Sequence, residues 1–144
     1  MAGRLFGTVG CYPHDGAANQ PRLKIRLFNV ARERWPEDLL TPIDTGFSGA
    51  VMLPSNSYDF FIIGELPKKL WKDYRTMTGP LQMRVARAFL ETEQTSIETL
   101  VETPLVGTGK LLIGRAILND LAVLLDGSAK LTCVMKPQDG AGGA

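Results

Sequence analysis

The sequence predicts a small, closed, mostly antiparallel β-barrel with one or two short helices. Three observations lead there. Apolar runs are short and separated by turn signals. The clearest of them, Leu23, Ile25 and Leu27, alternates with Lys24 and Arg26 at the two-residue period of a half-buried strand. A chain of 144 residues, 44% apolar and 22% charged, suits one core and has no room for two full lobes. Residues 1–137 therefore read as a single domain. The tail over 138–144, Gln-Asp-Gly-Ala-Gly-Gly-Ala with its leading Gln138, has nothing to bury and reads as disordered.

Taken in order, Leu5 to Cys11 is a strand, followed by the Pro13 to Pro21 loop and the Leu23–Leu27 strand, which together suggest an opening hairpin. Glu33 to Asp38 is a turn, and the cluster Arg32, Arg34 and Trp35 reads as its solvated face. Leu39 to Ile43 and Ala50 to Leu53 are strands, the second ended by Pro54. Ser55, Asn56 and Ser57 offer caps for a short helix whose one face carries Tyr58, Phe61 and Ile62. After the turn Thr76 to Pro80, Met83 to Glu91 and Ile97 to Val101 are strands, and Thr103 to Gly109 is a loop. Leu111 to Ile113 lead into a helix around Ala116 to Asp120. Leu121–Leu125 and Lys130–Met135 flank Asp126-Gly127-Ser128-Ala129 as a closing hairpin.

The chemistry concentrates in Pro42-Ile43-Asp44-Thr45-Gly46-Phe47-Ser48-Gly49-Ala50. Apolar runs on both sides make this a strand-turn-strand with Asp44 at the loop tip, and Gly46 and Gly49 let backbone come close. One carboxylate cannot both activate a water and protonate a carbonyl, so a second acidic group has to join it.

This motif resembles the active-site signature of the retropepsin-like (retroviral-type) aspartic proteases, an apolar residue followed by Asp-Thr-Gly, a further residue and Ser. The later Leu111-Leu112-Ile113-Gly114-Arg115-Ala116-Ile117-Leu118 is similar to that family's second hallmark, an apolar strand running through Gly-Arg into a helix. Order and spacing agree, and the resemblance spans about Leu5 to Met135. Asp-Thr-Gly-Phe-Ser looks closest to the bacterial and cellular members. Retroviral members instead carry an acid where Ser48 stands, to pair with the helix arginine, so Arg115 needs another carboxylate or backbone carbonyls.

The resemblance implies a homodimer with one Asp44 from each chain. Two such carboxylates a few ångströms apart cannot both ionise and share one proton. The ionised partner takes a proton from the water between them while the other polarises the scissile carbonyl, and no cofactor or metal takes part. By the same resemblance Thr45 crosses to the opposite loop, Gly46 offers its carbonyl and space to the substrate, and Ser48 bonds within the loop or lines the cleft. Gly114 and Arg115 support the loop from the helix side. The Thr76–Pro80 region corresponds to a flap with Gly79 at its tip, a lid that excludes water and offers backbone N–H groups to an extended peptide. The substrate is then an unfolded or extended polypeptide.

Composition narrows the alternatives. A formal net charge of +1 with scattered Lys and Arg gives no general attraction for nucleic acid or an anionic membrane. No apolar run approaches a membrane span, and Met-Ala-Gly-Arg-Leu-Phe lacks a signal-peptide core, so the chain reads as cytoplasmic. Cys11 and Cys133 lack metal-like spacing. In a reducing compartment they read as buried or interface thiols, with a disulfide as the alternative because both lie on expected strands near opposite chain ends. His14, in Tyr-Pro-His-Asp-Gly, reads as an exposed loop residue. Beside the active endopeptidase stand a catalytically silent dimerisation or peptide-binding module, and an unrelated β-barrel in which Asp44 only satisfies turn amides.

Overall fold

A computed structural model describes residues 6–14 and 16–137. The tail expected over 138–144 lies outside the described residues, as does Leu5. In chain order the strands are β1 (Phe6–Pro13), β2 (Arg22–Phe28), β3 (Leu39–Pro42), β4 (Val51–Met52), β5 (Lys72–Thr76), β6 (Gly79–Glu91), β7 (Ser96–Pro104), β8 (Leu112–Ile113), β9 (Ala122–Asp126) and β10 (Leu131–Pro137). Two short helices, α1 (Ser55–Tyr58) and α2 (Arg115–Leu118), complete the set, with 3-10 turns at Asp59–Gly64 and Lys68–Leu70.

The mostly antiparallel β architecture is as expected, but the barrel is not closed. One sheet runs β3-β2-β6-β7-β4-β8, with β5 paired to the far end of β6, and a separate sheet runs β1-β10-β9. Among the described residues, only the isolated bridge between Ile43 and Ile113 pairs the β3 side with β8. Closure fails because β8 is two residues long and β3 ends at Pro42, which has no N–H to extend a ladder.

The core follows from the alternation. Leu23, Ile25 and Leu27 of β2 turn inward, at most 1% exposed, into one core with Ala86, Ala88 and Leu90 of β6, Val101 of β7 and Ile113 of β8. Removing each such side chain from water contributes about 1.5–3 kcal/mol. Between β4 and β5, Tyr58 and Phe61 are fully buried, whereas Ile62, expected on the same face, is half exposed. The reason is geometric: from Asp59 onward the turn is 3-10, so residues three apart share a face and the fourth swings out. The expected polar cap is also replaced, since Pro54 precedes α1 and the Asn56 side chain accepts from Ser57 N instead.

Four further expectations are corrected. β1 and β2 form no hairpin, because the Pro13–Pro21 connection is too long for a tight turn and β1 pairs with β10. That register sets Cys11 opposite Cys133, and the two form a disulfide rather than standing as free thiols. His14 is buried: β1 continues past Cys11, so His14 N donates to Lys130 O at 3.0 Å and its Nε2 lies 3.1 Å from Thr132 Oγ1. Trp35 is half-buried, packed edge-on against Phe60 and over Phe61, whereas Arg32, over the Phe89 ring, and Arg34, paired with Asp38, are exposed as expected of a solvated turn. Among the described residues no helix is long and apolar enough to cross a membrane.

Candidate functional site

Pro42 ends β3, and the chain then enters a turn held on both sides. Ile43 N donates to Pro21 O at 3.0 Å, and Asp44 N donates to Ile113 O at 2.9 Å, which aligns the turn with β8. Within the turn, Phe47 N donates to Asp44 O at 3.1 Å, and Gly46 N donates to Asp44 Oδ1 at 2.9 Å. A Cβ on Gly46 would come within 3.1 Å of that same Oδ1, so glycine lets the amide reach the carboxylate. Among the described residues, the second carboxylate oxygen of Asp44 has no protein partner. Asp44 is half-buried and lines the open groove.

The segment from β8 into α2 clamps this turn. Gly114 N donates to Ala50 O at 2.7 Å, Arg115 N to Phe47 O at 2.9 Å, and Ala116 N to Gly49 O at 3.2 Å. A side chain at Gly114 would collide with the Gly49 and Phe47 carbonyls, so the close approach requires glycine. With Ser48 in place of an acid, the Arg115 guanidinium donates through Nη1 to the Thr45 carbonyl at 3.1 Å. A backbone carbonyl thus takes the place of the carboxylate.

On the other side, β5 and β6 form a hairpin turning through Met77 and Thr78, with Met77 fully exposed. The tip is therefore Met77-Thr78 rather than Gly79. Gly79 begins β6 with φ at +119°, a value that side-chain-bearing residues rarely adopt, and Thr76 Oγ1 donates to its carbonyl at 2.6 Å. Tyr74 stands over the turn with its ring 5.7 Å from that of Phe47. Its hydroxyl donates to Oε1 of Glu102, a fully buried carboxylate on β7, at 2.7 Å, and Lys72 Nζ approaches Oε2 at 3.2 Å. Burial first, then the bond to Glu102 and its charge, push the Tyr74 hydroxyl far above the ordinary tyrosine value. A Cβ on Gly49 would meet Glu102 Oε2 at 2.5 Å, so this carboxylate lies directly beneath the Asp44 turn.

Between turn and hairpin lies a groove of about 870 Å³, open to solvent. Met52, Leu81 and Leu112 supply apolar wall, and Arg75, Lys110 and Arg115 bring positive charge to a space whose only lining carboxylate among the described residues is Asp44. A smaller hollow of about 310 Å³ between Trp35, Phe61 and Leu111 has no titratable side chain in its lining. No group of three or more His, Cys, Asp or Glu among the described residues could hold a metal ion.

Asp44, Thr45, Gly46 and Ser48 thus share one turn, and Gly114 and Arg115 lie against it. Asp44, Gly46, Ser48 and Arg115 line the groove, but Thr45 and Gly79 do not. Sequence reasoning passed over Phe47, Tyr74, Arg75, Glu102 and Lys110. The strand Lys72-Asp73-Tyr74-Arg75-Thr76 ahead of a turn, and a lone acid within Leu100-Val101-Glu102, were the available signals.

No family model and no curated protein matches this sequence. Among solved structures, the chain is similar to a retropepsin-like aspartic protease from Rickettsia conorii. The TM-score is 0.51 with 14% identity, over 94% of this chain and all of that one. It also matches an EIAV protease determined in complex with an inhibitor, at TM-score 0.46 and 15% identity over 74% of this chain and 91% of the other.

Proposed function

We propose that this chain, which has the fold of the retropepsin-like aspartic proteases, is half of a homodimeric aspartic endopeptidase acting on unfolded or extended polypeptide. The single observation that carries the reading is Asp44: a carboxylate on a turn clamped from both sides, with one oxygen held by Gly46 N, lining an open groove. A carboxylate needed only to satisfy its own turn does not require an open groove beside it, nor backbone bonds from a second segment.

Among the described residues this carboxylate has no partner acid at the groove. Glu102 is fully buried and engaged by Tyr74 and Lys72, so it does not serve. A second copy supplies the partner, and two Asp44 carboxylates about a two-fold axis share one proton and titrate as a pair. The ionised one removes a proton from a water lodged between them, and the protonated one donates to the scissile carbonyl oxygen. The water oxygen adds to the carbonyl carbon, and the amine leaves with a proton, without a covalent intermediate. Phe47, Tyr74 and the Met77-Thr78 hairpin cover the groove and limit bulk water. We retain a cytoplasmic location in this reading. The Cys11–Cys133 disulfide then lies in a reducing compartment, where it is open to reduction.

The test is cleavage of a diverse unstructured peptide mixture, read by mass spectrometry from acidic to neutral pH, with wild type and Asp44→Asn compared and sedimentation run on both. The reading expects a dimer in each case and cuts only with wild type, a loss of at least about 10²–10⁴-fold on removing the acid–base group. Folded dimers that make no cuts at any pH would instead support a silent dimerisation or peptide-binding module.

A further inference from the structure

The groove is more positively charged than the chain around it. Overall the sequence is nearly balanced, with 16 Lys and Arg against 15 Asp and Glu. Yet Arg75, Lys110 and Arg115 line the groove, and among the described residues Asp44 is the only acid there. Other cations on the β5–β6 hairpin have partners: Lys72 pairs with Glu102 at 3.2 Å and Arg84 with Glu65 at 2.8 Å. Arg75 on β5 and Lys110 just ahead of β8 are both exposed, and among the described residues neither has a carboxylate partner. Arg115 commits one nitrogen to Thr45 O. The two unpaired cations belong to opposite walls, the hairpin and the segment entering β8, with apolar Leu81 and Leu112 on those same walls.

We propose that this groove selects extended segments bearing carboxylate side chains close to an apolar residue, with Arg75 and Lys110 engaging the carboxylates. This deepens the protease reading and rests on it. An apolar residue fills the space beside Met52, Leu81 and Leu112, while flanking Glu or Asp residues meet one cation on each wall. The Arg75 guanidinium presents a planar fork that matches a carboxylate, and the Lys110 ammonium acts as a point charge. Both are solvated, so each matched carboxylate adds only about two- to fivefold in affinity. Two together favour an acidic segment over its neutral counterpart by about 4- to 25-fold. The preference fades at high salt, where screening shrinks to about 3 Å at 1 M.

The experiment uses three matched peptides, each with one apolar pair at the centre, flanked by Glu, Gln or Lys. Cleavage kinetics are measured for wild type and for the Arg75→Glu/Lys110→Glu double variant at low and high salt. Binding of the same peptides to the Asp44→Asn dimer is measured by fluorescence anisotropy, and circular dichroism confirms that each variant is folded. The proposal expects the order Glu above Gln above Lys in kcat/KM, carried mainly by KM, flattened by salt and reversed in the double variant. Cleavage by wild type without that order, or with it unchanged in the double variant, overturns the proposal and leaves the protease reading standing. If wild type cuts nothing, the protease reading fails. Anisotropy then decides separately, tighter binding of the Glu peptide supporting an acidic-segment groove and equal or absent binding overturning it.

Discussion

The Tyr74 hydroxyl donates a 2.7 Å hydrogen bond to Glu102 Oε1, and this bond ties the hairpin over the groove to the strand beneath the Asp44 turn. Glu102 is wholly buried, and its other oxygen meets Lys72 from the same hairpin. Glu102→Ala therefore strands a hydroxyl and leaves a cavity below Gly49. A loss of about 2–4 kcal/mol is expected, discounted from a fully buried pair because Lys72 reaches solvent. Urea denaturation measures the loss, and hydrogen exchange over residues 72–83 locates it. An unchanged midpoint would remove Glu102 as the anchor of the hairpin.

The tyrosines make alkaline pH destabilising. Burial, then the bonds to Glu102 and Glu65, hold the hydroxyls of Tyr74 and Tyr58 far above the ordinary value of 10.0. In the unfolded chain both ionise near pH 10, while in the folded chain they keep their protons. The unfolded state then binds fewer protons, so the stabilisation is complete below about pH 10 and is lost as pH rises beyond it. Urea midpoints from about pH 8 to about pH 11 should fall at the upper end, and less so in Tyr74→Phe. A flat profile in wild type would contradict the assignment.

Gly114→Ala forces a methyl group against the Gly49 and Phe47 carbonyls. The expected destabilisation is about 1–3 kcal/mol. Because the displaced atoms form the Asp44 turn, cleavage should drop further than the folded fraction does. Measuring both on one preparation separates the effects, and a proportional drop would mean that the turn tolerates the shift.

The Cys11–Cys133 bridge joins residues 122 apart in sequence. Closing so long a loop constrains the unfolded chain, and Cys133→Ser or full reduction should cost about 2–5 kcal/mol. Thermal unfolding with and without reductant measures this. Equal melting temperatures would show that the β1–β10 pairing carries no such contribution.

Much of the fold could be read from local signals. The alternation of Leu23, Ile25 and Leu27 marked β2 with its buried face, and the Asp126–Ala129 turn marked the β9–β10 hairpin. The Asp44 turn was legible from its flanking apolar runs and glycines, and its neighbour Gly114 from the resemblance to the retropepsin-like proteases. Where reading failed, a distant partner decided. β1 looks like half of a hairpin with β2 until β10 takes it, and that pairing also buries His14 and bridges Cys11.

The sequence by itself determined the strand-rich class, the turn that carries Asp44, and the glycines that let β8 and α2 close upon it, because period, turn chemistry and the missing Cβ act over a few residues. Only the tertiary structure decided that the large sheet stays open, that Glu102 sits under Gly49 within reach of Tyr74, and that Arg75 and Lys110 face one groove. Those outcomes depend on strand register between segments far apart in the chain. A register shift of one residue turns every side chain to the opposite face, and no local pattern in the chain encodes which register wins.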